Sequence, residues 1–206
     1  KLRFFLAGER NYDGGNATFW QGIQFDTVLT SHGREHHFKA DYGPGPVPGF
    51  FNSTYDVNGN LVYSLPALRF RVGGTYHLGK NKEGAMWGGL FNLDRIALYK
   101  NKNISGYFNL THQVKPKLFY TLNISYFFHK SEFGDPVLWD DIRKCGDPEY
   151  NMGPDGQSAL RGWGQEYVYN LFGFIPLQLP GQAFYNYQKT VQSNYGGKFD
   201  LVWQVN

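Results

Sequence analysis

The side chains best able to do chemistry concentrate between residues 135 and 169. Asp135, Asp140, Asp141, Asp147, Glu149 and Asp155 fall there, interleaved with Trp139, Tyr150, Trp163, Tyr167 and Tyr169. Ca²⁺ takes about six to eight hard oxygen ligands, so clustered carboxylates are what such an ion requires. Asp147, Glu149 and Asn151 alternate as ligands do in a calcium loop, and with Asp140 and Asp141 they form a candidate Ca²⁺ set in the loop 135–155. The following glycine comes one residue late, and Ser158 stands where an EF-hand has its bidentate glutamate. A solvated acidic loop is therefore the default. The five aromatics offer large flat faces at low entropy cost, suited to stacking on a sugar ring or another planar ligand. Anchoring the loop, or forming an interfacial aromatic girdle, is the competing role. Tyr126, Phe127, Phe128, Tyr187 and Tyr195 are expected near strand ends, at the level of such a girdle.

Other reactive groups point to less. His32 and the run Glu35-His36-His37 form the densest imidazole group, but adjacent strand residues face opposite ways, so His36 and His37 share a metal poorly. The single cysteine, Cys145, forms no intrachain disulfide and has no recognisable histidine partner. Nucleophile elbow, HExxH, P-loop and zinc-finger spacings are all missing, so no enzyme is expected. Five Asn-x-Ser/Thr sequons occur, at Asn16, Asn52, Asn103, Asn109 and Asn123. The last three fall on the polar side of expected strands and read as by-products of an Asn/Ser/Thr-rich face.

Composition favours strands. Gly 26, Tyr 15 and Phe 18 in 206 residues, with 18% charged, suit strands and long loops better than helices. No apolar run approaches the roughly 18 residues of a membrane helix. A net charge of +3 with scattered basic residues gives no case for nucleic acid.

The elements that must position these groups are clearest at 104–128. Ile104, Phe108, Leu110 and Val114 share one face, with His112 as the exception, while Ser105, Tyr107, Asn109, Thr111 and Gln113 share the other. After a tight Lys115-Pro116-Lys117 turn, Leu118, Tyr120, Leu122, Ile124, Tyr126 and Phe128 line one face, opposed by Thr121, Asn123 and Ser125. Alternation of this kind marks strands with one apolar and one neutral polar side. Each run matches the roughly 9–11 residues a tilted strand needs to cross a bilayer. Four strands are expected, at about 1–10, 103–114, 118–129 and 193–205, within one β-barrel domain whose long loops are 11–102 and 130–192. Shorter β-like pieces fall at 19–30, 68–76 and 96–99, and Val57-Asn58-Gly59-Asn60 reads as a type I′ turn. A tight turn at one end and long loops at the other is the asymmetry of outer-membrane barrels.

Three segments carry a resemblance. Lys1-Leu2-Arg3-Phe4-Phe5-Leu6-Ala7-Gly8-Glu9-Arg10 resembles the FF-x-x-G-E strand of TonB-dependent outer-membrane receptors, particularly those of Bacteroidetes-like bacteria. The run from Tyr107 to Leu118 resembles their strand–periplasmic-turn–strand unit, and that from Lys198 to Val205 resembles a second copy of its first half. The resemblance covers about a quarter of the chain. It implies an all-β, antiparallel transmembrane barrel with about 22 strands and a plug, in the bacterial outer membrane, importing a scarce ligand such as a siderophore, cobalamin, glycan or peptide. It further implies outer-membrane lipid, a TonB-type energising complex and a surface lipoprotein as partners. No plug sequence or TonB box is identifiable, four strands cannot close such a barrel, and the last residue is Asn206. The chain therefore reads as an internal segment whose partners include the rest of the barrel and its plug. Two other readings stay open: a secreted or surface β-sandwich that binds carbohydrate through loop aromatics, and a structural surface protein that assembles by its strand edges.

Overall fold

A computed structural model describes residues 1–14, 22–30, 33–41, 50–82, 95–151 and 187–205. The chain is all-β. The described residues form eight strands, β1 (Leu2–Asp13), β2 (Gly22–Thr30), β3 (Gly33–Asp41), β4 (Phe51–Ser64), β5 (Leu68–Lys82), β6 (Leu98–Lys115), β7 (Leu118–Gly134) and β8 (Gln188–Trp203). Six pair antiparallel into one sheet in the order β1-β4-β5-β6-β7-β8, and β2 and β3 pair with each other. The sheet is open: it does not close into a barrel, and among the described residues the outer edges of β1 and β8 pair with no strand.

The expected hairpin at 104–128 forms, with Ile104 opposite Phe128, Phe108 opposite Ile124 and Leu110 opposite Leu122. Both strands run further than expected, and a bulge between Gln113 and Lys115 leads into the Pro116-Lys117 turn. A second tight connection, 65–67, joins β4 to β5, closed by the Leu65 amide donating to the Leu68 carbonyl at 2.7 Å. Both short turns lie at one end of the sheet. The connections 14–50, 83–97 and 135–187 all lie at the other.

The expected loop 11–102 is corrected. It contains β4 and β5, which are 14 and 15 residues long. Val57-Asn58-Gly59-Asn60 is not a turn but the middle of β4, where Gly59 lies between Leu6 of β1 and Gly74 of β5. A Cβ on Gly59 would sit 3.1 Å from the Phe5 carbonyl oxygen. This glycine allows two backbones to approach rather than a chain reversal. The expected loop 130–192 likewise shrinks, because β7 continues to Gly134 and β8 begins at Gln188.

Pairing sorts the side chains into rows that cross the sheet. One apolar row reads Leu2, Tyr63, Phe70, Leu110, Leu122 and Phe199, and the next Phe4, Leu61, Val72, Phe108, Ile124 and Gly197. Five such rows, from that of Leu68, His112, Tyr120 and Leu201 to that of Gly8, Val57, Tyr76, Ile104, Phe128 and Ser193, hold no charged residue. His112, the polar exception, contacts the Tyr120 hydroxyl through Nδ1 at 3.1 Å and lies edge-on to its ring. Among the described residues nothing covers this face: Phe4 is 79% exposed, Trp203 71% and Tyr195 80%.

Among the described residues the buried side chains lie beyond the strand ends. Ile96 and Leu138 are buried apolar residues there, beside an Asp135–Arg95 ion pair of 2.8 Å. Asp135 also accepts from the amides of Val137 and Leu138, and Arg95 donates to the Tyr150 carbonyl. Two short 3-10 turns, Ile142–Gly146 and Glu149–Asn151, complete this cap.

Candidate ligand-facing surface

The second face of the sheet is polar across all six strands. Its most concentrated row reads Glu9, Asp56, His77, Asn103, His129 and Gln192, one residue from each strand. Asp56 Oδ1 lies 2.6 Å from His77 Nδ1, and Asn103 Oδ1 lies 2.6 Å from His129 Nδ1. A carboxylate and an amide oxygen only accept hydrogen bonds, so each ring carries its proton on Nδ1 and, when neutral, presents Nε2 as an acceptor. Two imidazoles in one row are thus held in the same tautomer by neighbours on the adjacent strand. Asn11 donates to Glu9 at the β1 edge, 2.8 Å away.

Neighbouring rows extend the same chemistry. Thr75 and Ser105 hydroxyls meet at 2.7 Å, Asn109 donates to Asn123, and Ser131 donates to the Tyr99 hydroxyl at 3.2 Å. Tyr107 leans over Gly73, where a Cβ would come within 2.6 Å of the phenol oxygen, and the Arg71 guanidinium lies 5.3 Å from the same ring. The Lys198–Asp200 pair, 2.9 Å apart, closes the β8 side. Such a surface offers many neutral donors and acceptors and two imidazoles.

The residues singled out from sequence are placed as follows. Trp163, Tyr167, Tyr169 and Asp155 lie outside the described residues, as do Ser158 and His32. Trp139 takes a left-handed φ of 45°, uncommon for a bulky residue. Lys100 Nζ lies 3.8 Å from its ring centroid, and Tyr187 packs edge-on at 5.6 Å. Tyr150 has Lys144 Nζ at 5.1 Å from its ring. Both aromatics thus already stack with a lysine of this chain.

Of the candidate Ca²⁺ residues Asp140, Asp141, Asp147, Glu149 and Asn151, three have side chains engaged in local structure. Asp141 caps the first 3-10 turn, accepting from the Arg143 amide and from its guanidinium at 2.9 and 3.1 Å. That Arg143 bond, above all, holds the Asp141 carboxyl below the usual aspartate range. Asp147 accepts from the Glu149 amide, and buried Asn151 donates to the carbonyls of Lys144, Cys145 and Asp147. Among the described residues no three His, Cys, Asp or Glu side chains converge as metal ligands. His36 and His37 are adjacent on β3, opposite Thr27 and Asp26. Cys145 is partly exposed in the first 3-10 turn.

The expected girdle is relocated. Tyr126 and Tyr195 pair at 5.0 Å in mid-sheet on the apolar face, with Phe128 in the next row, while Phe127 faces the polar side. Tyr187 alone sits at a strand end, donating to Glu132 at 3.1 Å.

The histidine row escapes a reading of the sequence because Gly59 disguises the strand of Asp56 as a turn, and the β-like piece read at 68–76, across Gly73-Gly74, stops one residue short of His77. The available signal was the alternation on either side of those glycines, Tyr55-Val57 and Phe70-Val72 against Tyr76-Leu78. Comparison with protein-family models, with curated proteins and with solved structures finds no match for this chain.

Proposed function

We propose that the six-stranded sheet is part of the wall of an outer-membrane β-barrel of the TonB-dependent receptor type, with its apolar face toward lipid and its polar face toward a lumen through which a ligand is admitted. One observation carries this reading: the five-row band without a charged side chain that crosses every strand. Each row takes two residues, about 6.8 Å of strand, so the band runs about 34 Å along the strands. At a tilt of about 45° it stands about 24 Å tall, against the roughly 25 Å apolar belt of outer-membrane barrels. An uncovered apolar face of this extent marks an interaction or membrane surface.

The two ends of the sheet agree with that assignment. Short turns gather at one end and long connections at the other, as periplasmic turns and extracellular loops do. Open edges are not tolerated in hydrocarbon, so β1 and β8 must each meet a further strand before the sheet can reside there. Ligand selection falls to the long connections 14–50, 83–97 and 135–187, and passage to the polar row with His77 and His129.

Phase partition tests this directly. The protein is expected to enter the detergent phase and to need detergent to stay monodisperse. A chain that purified as a soluble monomer without detergent would end the barrel reading and return attention to a carbohydrate-binding module.

A further inference from the structure

Above the uncharged band the apolar face changes character abruptly. Its next two rows carry Arg10, Lys102 and Lys130, then Lys80, Lys100 and Lys189, against one carboxylate, Glu132. The acids at this height, Glu9, Asp13 and Asp56, all lie on the opposite face. Charge is therefore segregated across the thickness of one sheet, with cations on the side that carries the apolar band.

Three of these six cations hold partners on the same face. Lys130 pairs with Glu132 at 2.7 Å, Lys102 lies over Tyr76 at 5.7 Å, and Lys100 stacks on Trp139. Among the described residues no carboxylate pairs with Arg10 or Lys80, and these two together border a shallow concavity of about 360 Å³. Its floor and walls come from Tyr12, Phe51, Tyr55 and Leu78, and the Arg10 guanidinium lies 5.1 Å above the Tyr55 ring. A guanidinium stacked on an aromatic face keeps its in-plane donors available, in the fork geometry that suits phosphate.

We propose that this concavity holds the anionic phosphate headgroup of a membrane lipid, with Arg10 and Lys80 binding the phosphate and the acyl chains lying down the apolar band below. The proposal rests on the lipid-facing assignment made above and adds to it a lipid class and a site. Charge complementarity selects the occupant: two cations with no carboxylate partner among the described residues sit one and two rows above the apolar row of Val57 and Tyr76. A lipid of that kind is anionic at one level and hydrocarbon at the next. Cations near an anionic leaflet each add to binding, and two together account for a roughly 10- to 30-fold preference.

The test titrates the full chain, in zwitterionic micelles, with phosphatidic acid, with phosphatidylcholine and with inorganic phosphate, and counts retained lipid by native mass spectrometry. Phosphatidic acid is expected to bind at least tenfold more tightly than phosphatidylcholine. The preference should vanish in the Arg10→Ala/Lys80→Ala double variant and survive in Arg10→Lys/Lys80→Arg, which keeps the charge and guards against misfolding. It should also survive Arg3→Ala/Arg69→Ala, which removes the same charge from the other face. Equal binding of the two lipids, or a preference untouched by the alanine pair, overturns the site while leaving the barrel reading intact. Inorganic phosphate competing at equal concentration also overturns it, because a free-anion site needs no lipid. A chain that stays soluble and binds none of the probes overturns both.

Discussion

Ile124 sits in the middle of the apolar band, on β7, between Phe108 of β6 and Gly197 of β8. It is 49% exposed in the isolated sheet, so in water Ile124→Arg removes little burial and should change stability by no more than about 0.5 kcal/mol. In lipid the same change places a cation near the bilayer midplane, where barrels lose about 2–4 kcal/mol. Val191, 55% exposed on β8, lies three rows higher, in the row of Arg10 and Lys102. Three rows are about 20 Å of strand, or about 14 Å of depth at a 45° tilt, which puts Val191→Arg at the interface with an expected cost of about 0–1 kcal/mol. Asn123→Arg, on the polar face beside Asn109, should cost less than Ile124→Arg. The assay is urea unfolding of the intact protein reconstituted in vesicles, followed by tryptophan fluorescence. Equal losses for Ile124→Arg and Val191→Arg, or a loss below 0.5 kcal/mol for Ile124→Arg, would refute a lipid-facing band.

Gly74→Val should destabilise by about 1–3 kcal/mol, because its Cβ would fall 2.4 Å from the Ser105 carbonyl oxygen. Gly197→Val, with nothing within 4 Å, should shift the denaturant midpoint little. Asp135→Asn leaves the Arg95 guanidinium buried without its carboxylate, at a cost of about 3–5 kcal/mol. Hydrogen exchange should then accelerate at 95–97 and 135–151 before it does in the strands. Asp141, whose carboxyl is held low by Arg143, should titrate below the free aspartate value of about 3.9. A depressed carboxylate stabilises above the unfolded pKa and loses that contribution as pH falls through the folded one. The Ile142–Gly146 cap should therefore persist at pH 5 and fray only below about pH 3.9, as an NMR titration of Asp141 would report.

The parts of the sheet legible in the sequence are those where alternation runs unbroken. From Ile104 to Val114 and from Leu118 to Phe128, apolar and polar side chains alternate with Gly106 as the one glycine in the apolar series, and both faces came out as expected. Alternation fails as a guide where glycine replaces the apolar member. Gly59, Gly74 and Gly106 occupy one row on three adjacent strands, where the backbones need room rather than side chains. Asn58-Gly59 carries the signature of a reversal, yet its partners Ala7 and Thr75 hold it extended. The polar row suffers doubly. Its histidines are 52 positions apart in sequence and meet only through the β5–β6–β7 register, which no local pattern encodes. The acidic and aromatic loop was conspicuous for its composition. Among its described residues, though, Asp141 and Asp147 accept from backbone amides at chain reversals, as short polar side chains do, and Asn151 donates to three backbone carbonyls.

The two free edges carry an arithmetical consequence. Every neighbouring pair in the order β1-β4-β5-β6-β7-β8 is antiparallel, so β1 and β8, the first and last of six, run in opposite directions. A cylinder that stays antiparallel throughout can be closed from these edges only by an even number of added strands. An odd number forces one parallel seam, whose slanted bonds would have to be matched at a single junction. Copies of this sheet joined β8 to β1 satisfy the parity, and so does any run of up-down hairpins. A lone extra strand does not. Parity thus sorts the polypeptides able to complete the wall before any side chain is considered.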